Sequence, residues 1–115
     1  MSNALENVSE WITVPDAAEL LGVPLGRVHR MLEEHELIAV KIDGVKKIPA
    51  EIIVACEPLA SLKGTVSVLL DSGFTLDEAI EWLYTADDTL PGTPMSALIA
   101  GRKTEIRRRA QALAI

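Results

Sequence analysis

Aromatic residues and cysteine are nearly absent from this chain of 115 residues. Phe, Trp and Tyr together make up 3% of it, so a hydrophobic core has to be built mainly from Ile, Leu, Val and Ala. The only cysteine is Cys56, which excludes a disulfide within the chain and favours a reducing compartment. Because Cys56 follows the apolar residues 52–55 and has no catalytic partner pattern nearby, we expect a small core residue rather than a nucleophile.

Long hydrophobic runs are also missing. No apolar stretch approaches the roughly 20 residues that cross a bilayer, and residues 1–10 are polar, without the pattern of a signal peptide. A hydrophobic fraction of 49% and a charged fraction of 24% are typical of a folded globular protein. We therefore expect a cytoplasmic protein that does not associate with membranes.

Positive charge is scarce, with a formal net charge of -6 at pH 7. Residues 1–60 hold five Lys and Arg against ten Asp and Glu, and residues 61–115 hold six against seven. Proteins that bind nucleic acids usually have a basic surface, because they neutralise phosphates and release counterions. Any affinity of this chain for DNA must therefore come from local clusters of basic residues.

Patterns typical of catalysis or metal binding are not found. His29 and His35 are six residues apart, which does not place two metal ligands on one helix face. Lys63 precedes Gly64, and no upstream glycine completes a phosphate-binding loop. Because no carboxylate pair and no nucleophile–base set stands out either, we expect a protein that is not an enzyme and has no cofactor and no metal.

Two short helices joined by a tight turn are predicted in the first half. Thr13 and Asp16 have the spacing of a short capping box, Pro15 suits a first helical turn, and Gly22 is placed to end the helix. A second helix is predicted over residues 25–34. Its inward stripe consists of Val28, Met31, Leu32 and His35. Such a pair predicts a helix-turn-helix.

The residues that follow predict a β-hairpin around Asp43-Gly44, which is a strong turn signal between short alternating strands. A two-residue turn would place Lys41 opposite Lys46, and a three-residue loop would place it opposite Lys47. Two lysines side by side weaken a hairpin by itself, and a bound anion would relieve their repulsion. The alternative, a solvated ribbon that its lysines protect from edge aggregation, stays equally open.

The second half predicts helices only, over residues 65–71, 75–84 and 93–100, with a last helix near the end of the chain. Thr75 and Glu78 form its clearest capping box, and the last helix has Ile106, Ala110 and Leu113 on one face. We therefore predict a mainly α fold. It consists of a flexible N-terminal arm over 1–10, a winged helix-turn-helix with a two-stranded hairpin wing over 11–58, and a helical C-terminal domain over 59–115.

The strongest basic group of the chain lies near its end and comprises Arg102, Lys103, Arg107, Arg108 and Arg109. Three uses compete for it: cations at a helix terminus, a second DNA contact, or a docking face for an acidic partner. Asp87 and Asp88 lie in a predicted loop and could pair with this group. Internal pairing is slightly favoured over DNA contact.

The sequence also resembles known proteins. Residues 11–53 resemble the excisionase-like branch of winged helix-turn-helix proteins, related to the MerR type, through Ala17-Ala18-Glu19-Leu20-Leu21-Gly22-Val23 and the returning strand Lys46-Lys47-Ile48-Pro49. With Glu81-Trp82-Leu83 and the ending from Thr93-Pro94-Met95 to Arg107-Arg108-Arg109, the whole chain after residue 10 resembles a small actinobacterial DNA-binding family. That family joins such a winged domain to a helical C-terminal domain.

The resemblance implies a protein that binds double-stranded DNA and regulates transcription or organises the nucleoid. It places the helix from Leu25 in the major groove and the wing on backbone phosphates. The implied DNA-binding residues are Arg27, His29, Arg30, Lys41, Lys46 and Lys47, with Arg102, Lys103, Arg107 and Arg108 as a possible second contact with DNA or a partner. The alternative is a protein-interaction module with little DNA affinity, because the C-terminal helices also resemble partner-binding domains of antitoxins. The partner would be a protein or a second copy of the chain.

Overall fold

The helix pair forms as the capping residues predict. The computed structural model, which describes residues 4–113, has strand β1 at Trp11–Thr13, helix α1 at Val14–Leu21 and helix α2 at Leu25–Glu33. The Thr13 hydroxyl accepts the Asp16 N–H, and the Asp16 carboxylate accepts the Thr13 N–H, so the predicted capping box is confirmed. Gly22 ends α1 in the left-handed region, at a φ of 69°.

Small and branched side chains hold these two helices together. Ala17 and Ala18 are buried on α1, and Val28 and Met31 are buried on α2. Leu32, also predicted to face inward, is half-buried. His35, predicted to continue the stripe, is half-buried too but lies beyond the end of α2, at a φ of 62°. The period of the apolar residues therefore identified the inward face of α2 correctly, with the tightest packing in its middle turn.

The predicted hairpin forms with the two-residue turn. Strand β2, Val40–Ile42, pairs with strand β3, Val45–Pro49, and Lys41 lies directly opposite Lys46. Asp43 and Gly44 both have positive φ, 53° and 78°, as a type I′ turn requires. We call residues 40–49 the wing.

The wing belongs to a larger sheet than the two-stranded one that the sequence predicted. Strand β1 pairs antiparallel with β3, so the sheet has the order β1-β3-β2. Ile12 and Ile48 are opposite each other in this pairing, and both are buried. A strand of three residues that runs straight into a helix cap has too few positions to show alternation, which is why the sequence did not reveal it.

A second, smaller ribbon follows the wing and was also not predicted. A short 3-10 helix at Ala50–Ile52 leads into strand β4, Ile53–Val54, which pairs with strand β5, Glu57–Pro58. The two residues between these strands, Ala55 and Cys56, have positive φ. Cys56 is exposed, so the expectation of a core cysteine was wrong. The reason is that it lies in the turn rather than on a strand.

In the second half, up to residue 113, the structure has four helices: α3 at Leu62–Asp71, α4 at Leu76–Leu83, α5 at Pro94–Ile99 and α6 at Lys103–Ala112. The capping box of Thr75 and Glu78 is confirmed. The fully buried side chains here include Leu69, Ile80, Leu83, Tyr84, Met95, Leu98, Ile106 and Ala110. Leu113 was predicted to join the inward face of the last helix but is exposed, because α6 ends at Ala112.

Residues 4–8 differ from the predicted flexible arm over 1–10. Ala4–Asn7 form a 3-10 helix, Ala4 and Val8 are buried, and the Asn7 Nδ2 donates a hydrogen bond of 2.7 Å to the Tyr84 carbonyl oxygen. The chain divides into two compact units, residues 9–63 and residues 1–8 with 64–115. We call the second of these the C-terminal unit. Residues 1–3, also part of the predicted arm, lie outside the described residues. The predicted boundaries lay after residues 10 and 58, and the boundaries between the compact units lie after residues 8 and 63.

Replacing Asn7 with alanine should lower the free energy of unfolding by about 0.5–1.5 kcal/mol, because the Tyr84 carbonyl loses its amide donor. Urea unfolding of Asn7→Ala beside Glu6→Ala, an exposed neighbour, measures this directly. Equal stability of the two variants would mean that the hydrogen bond between Asn7 and the Tyr84 carbonyl contributes nothing to stability.

Candidate nucleic-acid interface

The first half of α2 presents a basic surface. Arg27, His29 and Arg30 are all exposed. With 3.6 residues per turn, Gly26 and Arg30 lie on one line along the helix, and Arg27 and His29 flank that line on opposite sides. Pro24 precedes the helix without a capping side chain. The three basic side chains predicted from the sequence therefore share the solvent face of a single helix.

The second half of α2 has the opposite charge. Glu33 and Glu34 are exposed and lie three and four residues after Arg30, on the same side of the helix. Phosphate groups would be repelled from them. The charge distribution along α2 therefore favours an orientation in which its N-terminal half approaches a polyanion and its C-terminal half stays away from it.

Arg27 has an acidic neighbour. Its Nη2 lies 3.9 Å from the Glu36 Oε2, and the two side chains are 44% and 28% exposed. This distance is too long for a hydrogen bond, and pairs of this exposure contribute little to stability. Arg27 can therefore leave Glu36 for a phosphate or a base at small cost.

Glu36→Gln should raise the affinity for duplex DNA by about two- to fivefold at low salt, because a weakly held arginine loses its competing carboxylate. Fluorescence anisotropy titrations would measure the change. Glu81→Gln, which removes the same charge from an exposed position on α4, is the matched control. An equal gain in both variants would indicate an effect of net charge alone and would exclude a specific role for the Arg27–Glu36 pair.

The register of the wing separates its three lysines. Side chains alternate between the two faces of a strand, so Lys46 and Ile48 lie on the same face of the sheet. Lys41 pairs directly with Lys46 and therefore lies on that face as well. Lys47 pairs with Val40 and Thr13 on the other face and is half-buried. All three lysines were predicted to contact DNA, whereas the structure brings only Lys41 and Lys46 together on one face.

Lys41 and Lys46 form a pair of like charges. Directly opposed residues of an antiparallel pair have Cβ atoms about 4.5–5.5 Å apart, and like charges there are destabilising. Both lysines are exposed, and within residues 4–113 neither has an acidic side chain in salt-bridge range. An anion between the two ammonium groups would remove this repulsion.

The basic group of the C-terminal unit does not form a single surface. Arg107 is half-buried and packs against Gly64, where an added Cβ would collide with its guanidinium. Arg109, also half-buried, donates to the Thr89 hydroxyl at 2.6 Å and lies 3.6 Å from the Asp87 carboxylate. Arg102, Lys103 and Arg108 are exposed. The predicted pairing with the acidic loop is thus formed through Arg109, and Arg107 is less exposed than Arg102, Lys103 and Arg108.

Asp87 is organised by its own loop. The backbone N–H of Thr89 donates to its Oδ1 at 2.8 Å and the Thr89 hydroxyl at 2.7 Å. These two hydrogen bonds, with a smaller contribution from the nearby Arg109 guanidinium, lower the pKa of Asp87. The carboxylate therefore stays charged and joins α6 to the loop before α5.

Two features common at other kinds of site are missing from the described part of the chain. Between residues 4 and 113, no group of His, Cys, Asp and Glu is arranged to hold a metal ion. No helix in that same range has the length and apolar character to cross a membrane.

Two helices joined by a tight turn and followed by a β-hairpin that carries lysines define a winged helix-turn-helix protein. Residues 1–53 match the family model described as "DNA-binding protein Rv2175c, wHTH domain", and residues 59–114 match "Rv2175c C-terminal domain of unknown function". The chain belongs to the Rv2175c family of DNA-binding proteins.

A sequence match and a match to a solved structure support this assignment. DNA-binding protein Rv2175c of Mycobacterium tuberculosis (strain ATCC 25618 / H37Rv) is 36% identical over 114 residues, which cover 88% of this chain and 78% of that protein. The NMR structure of Rv2175c matches with a TM-score of 0.83 at 34% identity, covering 92% of this chain and 82% of that one. The predicted combination of a winged DNA-binding domain with a C-terminal domain, in a family with an actinobacterial member, is confirmed.

Proposed function

We propose that this protein is a cytoplasmic, sequence-selective DNA-binding regulator of transcription or of nucleoid structure. It acts without catalysis or a cofactor. The N-terminal half of α2 enters the major groove in the manner of excisionase- and MerR-like proteins, and the wing holds the phosphate backbone. The observation that carries this proposal is the exposed basic face of Arg27, His29 and Arg30, in the same compact unit as the paired lysines of the wing.

The types of charged residue support base contacts by α2 and phosphate contacts by the wing. An arginine in the major groove can form a bidentate contact with guanine, whereas lysines on phosphates give affinity without sequence information. Since the chain is acidic overall, non-specific attraction to DNA is small. Discrimination between sequences therefore depends on the few side chains that α2 presents.

The test is a fluorescence anisotropy titration of the wild-type protein with mixed-sequence duplex DNA over a range of salt concentrations. Binding that weakens as salt is added would support the proposal. The absence of binding to any duplex at low salt would refute it.

A protein partner is the second candidate, and the exposed Arg102, Lys103 and Arg108 of the C-terminal unit favour it. These three basic residues could bind an acidic surface of another protein, an acidic surface of a second copy of the chain, or a second stretch of DNA. The triple variant Arg102→Glu/Lys103→Glu/Arg108→Glu separates these possibilities. Unchanged DNA affinity with loss of a co-purifying protein, or of self-association in sedimentation, would favour the protein partner. Weakened DNA binding would favour the second DNA contact.

A further inference from the structure

Leu25 is an apolar side chain in an unusual place. It is the first residue of α2, the end that the proposed docking places nearest the bases, and it is 49% exposed. The next residue, Gly26, has open space where a Cβ would be. Gly26 itself adds no side chain beside Leu25, and the backbone of α2 can come close to a surface there.

The neighbours of Leu25 locate its contact. His29 lies four residues later, on the same side of the helix, and Arg30 lies on the adjacent line. If Arg30 reaches a base edge in the major groove, the exposed side chain of Leu25, about 7.5 Å nearer the start of α2, is available for a second base pair. The apolar group that the major groove offers there is the C5 methyl of thymine.

Few polar side chains of α2 can recognise bases, so an apolar contact is important for distinguishing sequences. Arg27 shares its charge with Glu36, and Glu33 and Glu34 occupy the following turn. Arg27, His29 and Arg30 are the exposed side-chain donors on the first half of the helix. Three donors distinguish few base pairs, so an apolar contact beside them would add to sequence selectivity.

We propose that Leu25 is a specificity-determining residue that packs on the C5 methyl group of a thymine in the target site. This inference rests on the proposed DNA binding and extends it, because it names a base that the protein selects. Contact with the methyl group would also remove the exposed leucine surface from water.

The experiment uses the full chain and a site selected from a random duplex pool with the wild-type protein. Each thymine of that site is replaced in turn by uracil, which removes the methyl group and keeps base pairing. At one position the wild-type affinity should fall about fourfold, as expected when one methyl-sized group leaves an apolar contact. Leu25→Ala should bind both duplexes equally and about as weakly as the wild type binds the uracil duplex.

Leu20→Ala is the matched control, because Leu20 is equally exposed, at 49%, but lies on α1. It should keep the wild-type preference for thymine. A Leu25→Ala variant that still distinguishes thymine from uracil would overturn the inference while leaving DNA binding intact. So would a selected site without thymine. If no duplex is bound or selected at low salt, the proposed function fails and the inference fails with it.

Discussion

Arg30→Ala should weaken binding to the selected site by about 1–3 kcal/mol and reduce the preference for that site over unrelated duplexes. Arg30 lies on the central line of the exposed face of α2, and the structure gives it no acidic partner among residues 4–113. Its guanidinium is therefore available for a bidentate contact with guanine. Competition titrations with the selected duplex and a scrambled one measure both effects.

Lys63→Ala is the control for this prediction, since Lys63 is an exposed cation at the start of α3. It should leave both affinity and preference unchanged. Equal weakening by both substitutions would indicate a general effect of charge. In that case the assignment of base readout to Arg30 would be incorrect.

Lys41 and Lys46 should determine much of the salt dependence of DNA binding. Lys41→Ala/Lys46→Ala should make the slope of log K against log salt concentration shallower by about two, because each phosphate contact contributes about 0.9 to the slope. The double variant should not be less stable than the wild type, since it removes a pair of opposed like charges. Anisotropy titrations over a salt series and thermal unfolding provide the two measurements.

Lys47→Ala is the internal control, because Lys47 lies on the opposite face of the same ribbon and is half-buried. We expect it to change the slope by clearly less than one unit. If Lys47→Ala has the same effect on the slope as either neighbour alone, the wing contacts DNA with both faces, and the division of the lysines into two faces has no functional meaning.

Features fixed by residues close in sequence were predictable. The capping boxes at Thr13 and Thr75 each join residues three apart, and the turn at Asp43-Gly44 depends on two residues that tolerate positive φ. Such signals are complete within one turn of the chain. The helix pair and the wing follow from them together with the spacing of the apolar residues.

Features that depend on distant partners were not predictable. Trp11 becomes part of a strand only because Pro49 lies opposite it. Residues 4–8 are ordered through partners such as the Tyr84 carbonyl, 77 residues away from Asn7. Neither segment has a periodicity of its own, so the sequence predicted an arm where the structure has a packed segment and a third strand.

The candidate site was also predictable only in the features that depend on residues close in sequence. The identities of Arg27, His29 and Arg30 and the helix that presents them could be inferred from the sequence. The separation of Lys47 from Lys41 and Lys46 could not, because it depends on a register that the sequence left open between two turns. The inward position of Arg107 depends on the absence of a side chain at Gly64, which no local pattern indicates.

An NMR titration of the isotope-labelled full chain with its selected duplex tests most directly whether the winged domain binds DNA. Backbone amide shifts should change most along Leu25 to Arg30 and around Lys41 and Lys46, with little change in α5 and α6. Shifts confined to the neighbourhood of Arg102, Lys103 and Arg108, with the α2 signals unmoved, would contradict the assignment of DNA binding to the winged domain.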